Sequence, residues 1–156
     1  MEIDDPKIIA LREQVTAAQQ EFNMAVMFHE TWKPAAYDGN LHSRMGQSYA
    51  SQAFLVARIA LRREMVLALM RLWDTNTKAV RTQWIASALR EQPVIDALAK
   101  DRVDRIGLPE AIDQMKNDLG TQAAEAVQLI NKYMEGGSHA PVLKKLLALR
   151  HERLVF

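Results

Sequence analysis

The residues best equipped for chemistry crowd the end of the chain. Lys144, Lys145, Arg150 and Arg153 bring four cations to one short segment, with Glu152 as its acid and His151 beside Arg150. Cations gathered this way suit phosphate. They also suit the negative end of a helix dipole, and charge alone leaves both readings open. A second basic pair, Arg58 and Arg62, is spaced four apart and shares a helix face. It reads either as an anion-facing strip or, by default, as solvated or paired surface charge. Arg71 lies three residues before Asp74 and reads as a local ion pair closing a helix.

Other chemistries lack their residues. Carboxylate-bridged metal bundles use Glu-x-x-His pairs on facing helices, and none occurs. His29-Glu30 and His151-Glu152 are adjacent, so on a helix they point about 100° apart. His29, His42, His139 and His151 show no ligand spacing, so neither metal nor cofactor is expected. There is no cysteine, which removes disulfides and thiolate sites and suits a reducing cytoplasm. No glycine-rich phosphate loop and no serine-nucleophile signature is present. The eight methionines read as core filling. Trp32, Trp73 and Trp84 sit near expected helix ends and read as seals of a bundle.

The elements that position these residues are helices. Asp4-Asp5-Pro6 is a cap followed by proline at the first helical position. Ile8, Leu11, Val15, Ala18, Phe22, Ala25 and Phe28 follow in steps of three and four. Pro34 is expected to bound this helix, with a loop over 33–42. Ser43 reads as the cap of a long second helix to Trp73, with Gly46 its one breaker. That helix is apolar on most sides and is expected to be central. Shorter helices follow over 82–90 and from Pro93, broken at Gly107-Leu108-Pro109. Another runs over about 109–134, with Ile112, Met115, Leu119, Ala123, Val127, Ile130 and Met134 as its stripe. Gly136-Gly137-Ser138 stops it and caps the last, which holds Pro141 in its first turn. In that helix Val142, Leu146 and Leu149 share a face, flanked by Leu143, Leu147 and Leu154.

No strand pattern of period two appears. The expected fold is all-α: an up-and-down bundle with one long central helix and a short inserted helical pair around 82–106. Ala and Leu make up a quarter of the chain, which favours helix. A chain of 156 residues at 49% hydrophobic and 25% charged is expected to form a single helical domain over 1–156. A net charge of +1 excludes a globally basic nucleic-acid binder. Charge-free apolar stretches such as 53–57 and 65–70 fall far short of the roughly 20 residues needed to span a bilayer, so no membrane partner is expected.

Two segments carry a family resemblance. Leu67-Ala68-Leu69-Met70-Arg71-Leu72-Trp73-Asp74 resembles the end of a central helix in the HEPN superfamily, in its abortive-infection U-type branch. Leu146-Leu147-Ala148-Leu149-Arg150-His151-Glu152-Arg153-Leu154 resembles the start of the HEPN signature. That signature is Arg, a polar residue, and a His four to six residues after the Arg. Arg150 and His151 match its first two positions. The closing His would fall at 155, 156 or 157, and the chain has Val155 and Phe156. A His at 157 would complete the signature; otherwise the motif is lost.

The resemblance implies a helical homodimer of the defence or toxin kind, acting on RNA as a metal-independent endoribonuclease. It implies a catalytic Arg150, stabilising charge on the phosphate, and a His serving proton transfer at the ribose 2′-hydroxyl. His151 is the candidate within the chain, although it points about 100° from Arg150. Lys144, Lys145 and Arg153 are the candidate nucleic-acid contacts. A cognate antitoxin protein is a further partner of this class. The alternative is a non-catalytic helical dimer, acting as a protein-interaction or regulatory module.

Overall fold

The computed structural model describes residues 5–46, 49–73 and 81–153, with the side chains of His42 and of Arg150 onward outside that description. Among the described residues there are seven α-helices, one 3-10 turn and no strand, packed as a helical bundle. In chain order the helices are α1 (Pro6–Tyr37), α2 (Leu41–Met45), α3 (Tyr49–Arg71), α4 (Thr82–Ala88), α5 (Gln92–Ile106), α6 (Ile112–Asn131) and α7 (Ala140–Arg153). The 3-10 turn, Pro109–Ala111, joins α5 to α6. None of these helices is long and apolar enough to cross a membrane.

Asp5 caps α1 by accepting from the Lys7 backbone N–H at 2.8 Å, with Pro6 at the first helical position. Pro34 does not end the helix, contrary to the sequence expectation. The helix runs on to Tyr37, and the Asp38 N–H donates to the Pro34 carbonyl at 3.2 Å. A proline removes only its own N–H, and its fixed φ is a helical one. Packing holds the extra turn: Trp32 meets the Tyr37 ring edge-on at 5.9 Å, and Arg58 of α3 donates to the Ala35 carbonyl at 3.4 Å.

The long second helix also starts later than its sequence suggests. Ser43 lies inside the short α2 rather than capping anything. Gly46 ends α2 at φ +63°, a conformation that L side chains rarely adopt. Ser51, buried in the first turn of α3, donates to the Gly46 carbonyl. α3 then packs antiparallel on α1. Arg71 at its end meets Glu21, whereas Arg58 near its start meets Ala35.

The main buried cluster joins Ile8 and Leu11 of α1 to Ile85 and Ala88 of α4 and to Val94 and Ala97 of α5. The inserted pair therefore supplies much of the core. Beyond the cluster, the α1–α3 pair extends as an arm with few fully buried side chains, among them Ala25 and Ser51. Val56 and Ile59 are about two-thirds exposed there, and Phe22 and Met27 are more than half exposed. α5 and α6 form the other antiparallel pair, with Arg90 donating to Asn131 at 3.0 Å and Lys116 meeting Asp96 at 3.4 Å. Every residue of the expected α6 stripe is buried or half-buried.

A candidate nucleic-acid surface on α7

α7 is fixed at its start by a ladder of rings. Trp73, just past α3, lies 5.2 Å from Tyr133, just past α6. Tyr133 stacks on His139 at 5.1 Å, immediately before α7. The His139 N–H donates to the Lys132 carbonyl at 2.7 Å, and the His139 ring meets the Ser138 hydroxyl at 3.0 Å. Three chain segments thus converge at one corner, and α7 leaves from it. The turn is tight: a Cβ on Gly137 would lie 2.3 Å from the Asn131 carbonyl oxygen.

From that corner α7 packs against α3. Leu143, Leu146 and Leu149 are half-buried, whereas Val142 and Leu147 are 49% and 37% exposed. The inward face is thus the 143/146/149 row, not the row containing Val142 that the sequence suggested.

Lys144 and Lys145 occupy the outer side of α7 and are exposed. Among the described residues, neither has an ion-pair partner. Much of the cationic surface elsewhere is neutralised locally. Lys7 pairs with Glu91, Arg12 with Asp101 at 2.8 Å, Arg105 with the same Asp101, and Lys116 with Asp96. The Asp96 carboxyl sits below its ordinary value, first through the Gln92 amide that donates to it and then through Lys116. Arg71 pairs with Glu21 at 2.8 Å, a partner fifty positions away, and its expected partner Asp74 lies outside the described residues.

The helical backbone of α7 includes Arg150, His151 and Arg153. Their side chains lie outside the described residues, as do Leu154, Val155 and Phe156. On the helix, Arg150 and His151 are neighbours about 100° apart, and Arg150 and Arg153 share a side. Among the described residues, no group of His, Asp and Glu could hold a metal ion. The ring ladder escaped the sequence reading, since nothing local links Trp73, Tyr133 and His139.

An all-helical bundle whose last helix carries Arg150-His151 is the architecture the HEPN resemblance implies. The AbiU2 family model of HEPN domains matches residues 8–154, and the chain belongs to that family of abortive-infection proteins. No curated protein and no solved structure matches the chain.

Proposed function

We propose that this chain is an RNA-directed defence protein that holds the ribose-phosphate backbone on α7. The observation that carries the reading is the pair of exposed lysines, Lys144 and Lys145, unneutralised among the described residues on the helix that bears Arg150. Unpaired cations in a row attract phosphate without reading sequence. Arg150 stabilises charge on the phosphate, and Arg153, one turn on, adds a contact. In the metal-independent cleavage that the family resemblance implies, a His moves the proton of the ribose 2′-hydroxyl. His151 is the in-chain candidate for that role. The protein works in the cytoplasm, where a cysteine-free chain is at home.

A homodimer supports this activity, because a two-fold axis doubles the basic surface. The exposed apolar side chains of the α1–α3 arm suit a subunit contact. The same side chains favour a second reading: a non-catalytic dimer whose arm receives another protein, such as a cognate antitoxin. Val155 and Phe156, at two of the three positions open to the closing His, point the same way.

The test is RNA binding and cleavage at low salt by the wild type and by Arg150→Ala. Cleavage that disappears in Arg150→Ala, with melting temperature unchanged, supports the first reading. Binding without cleavage supports a phosphate-holding role alone. An absence of RNA binding by the wild type overturns the proposal in favour of the second reading.

A further inference from the structure

The ring ladder at the foot of α7 runs from the interior out to solvent. Trp73 is half-buried, Tyr133 is 36% exposed, and His139 is exposed. Tyr133 covers one side of the His139 ring, with the two planes 28° apart. The Ser138 hydroxyl meets that ring at Nδ1, on its edge. Among the described residues, no further ring lies against His139. Sealing the corner accounts for Trp73. The two outer rings add a flat aromatic surface that reaches water, beyond what a seal requires.

Cations stand on both sides of this stack along the chain. Lys132, whose carbonyl accepts the His139 N–H at 2.7 Å, is exposed. The His139 carbonyl in turn accepts from the Val142 N–H at 3.0 Å and the Leu143 N–H at 3.4 Å, so His139 opens the first turn of α7. Lys144 and Lys145 follow in the next turn, about 7–9 Å further along the axis at 1.5 Å per residue. Among the described residues, none of these three lysines has an ion-pair partner. Glu135 is the one acid in the sequence between Lys132 and Lys144, so the corner keeps an excess of positive charge.

We infer that His139, backed by Tyr133, is a stacking platform for a nucleobase of single-stranded RNA, whose neighbouring phosphates are held by Lys132, Lys144 and Lys145. This rests on the RNA reading above and adds to it a contact with the base rather than the backbone. Exposed rings beside cations are the two parts that single-strand binding requires, and every base has a face that can cover a ring. Histidine serves as such a ring. Phosphates of a stacked strand recur about every 3.4 Å. A base on His139 therefore leaves the next two or three phosphates within reach of the flexible lysine stems. Substitution at an exposed position costs little stability, so the platform can be tested without unfolding the protein.

The test is titration of a short, labelled single-stranded RNA of mixed sequence, and of an abasic strand of the same length, with full-length protein over a range of salt. Four variants are compared with wild type: His139→Ala, His139→Leu, His139→Phe and Lys144→Ala/Lys145→Ala. Wild type is expected to prefer the RNA to the abasic strand about tenfold, the share of one stacked base. His139→Ala loses that preference with the salt slope unchanged. His139→Leu, which fills the space without a ring, loses it too, and His139→Phe keeps it. The lysine pair weakens both strands and lowers the salt slope by about 1.4, the share of two single-strand phosphate contacts. If wild type binds the two strands equally, or His139→Ala and His139→Leu bind RNA as wild type does, this inference is overturned and the RNA reading stands. The same holds if those variants lose both strands alike, since the ring then only positions α7. If wild type does not bind RNA, both fall together.

Discussion

Glu21 is only 18% exposed and holds Arg71 at 2.8 Å across the α1–α3 seam. Gln14, two turns earlier on the same helix, accepts from the Arg81 backbone N–H at 3.0 Å. These polar groups tie α1 to the segments packed on it. Glu21→Ala leaves Arg71 unpaired on a half-exposed surface. The expected loss is about 1 kcal/mol, read as a melting temperature lower by about 2–4 °C; no change would make the pair incidental. Asp96 gives a pH prediction. Its folded carboxyl is held below its ordinary value of 3.8, mainly by the Gln92 amide and then by Lys116. The resulting stability is fully present above that ordinary value and is lost as pH falls through the lowered one. Asp96→Asn should flatten this part of the acid limb in melting curves recorded against pH. An acid limb identical to wild type would show that the carboxylate contributes nothing there.

Among the elements, α7 depends most on its point of departure. The turn before it brings Gly137 against the last carbonyls of α6, leaving no space for a methyl group. Gly137→Ala must push backbone against backbone, at a cost of about 2 kcal/mol. It should also shift α7 from its seat on α3, so both melting temperature and RNA affinity are expected to drop. A variant that melts lower but binds RNA unchanged would detach the RNA surface from α7. α6 was legible from its sequence. One apolar stripe at helical spacing admits one inward face, and Ile112 through Met134 took it. α1 was not. Its spacing admits two faces, one through Val15 and Phe22 and the other through Gln14 and Glu21. The latter lies inward, because Arg71 and the Arg81 backbone supply partners that make burial of polar groups affordable. Val15 and Phe22 are left 37% and 55% exposed.

At the scale of the whole molecule, the core sits among α1, α4 and α5, and the α1–α3 arm reaches beyond it with Phe22, Met27, Val56 and Ile59 uncovered. A homodimer joined through the arm would cover these side chains. Val56→Glu combined with Ile59→Glu is then expected to halve the mass measured in solution while leaving the helical content intact. A wild-type dimer that survives both changes would place the subunit contact elsewhere. The sequence by itself determined that the chain is helical, where most helices begin, and which residues of α6 face inward. Caps, prolines and 3.6-residue periodicity are local properties, and they act over a few turns. It also carried the family resemblance, through Arg71–Asp74 and Arg150-His151. Only the tertiary structure decided which face of α1 is buried, that α1 continues past Pro34, and that Arg71 pairs with Glu21. Each of these depends on a partner supplied from a distant part of the chain, and local spacing holds no record of that partner.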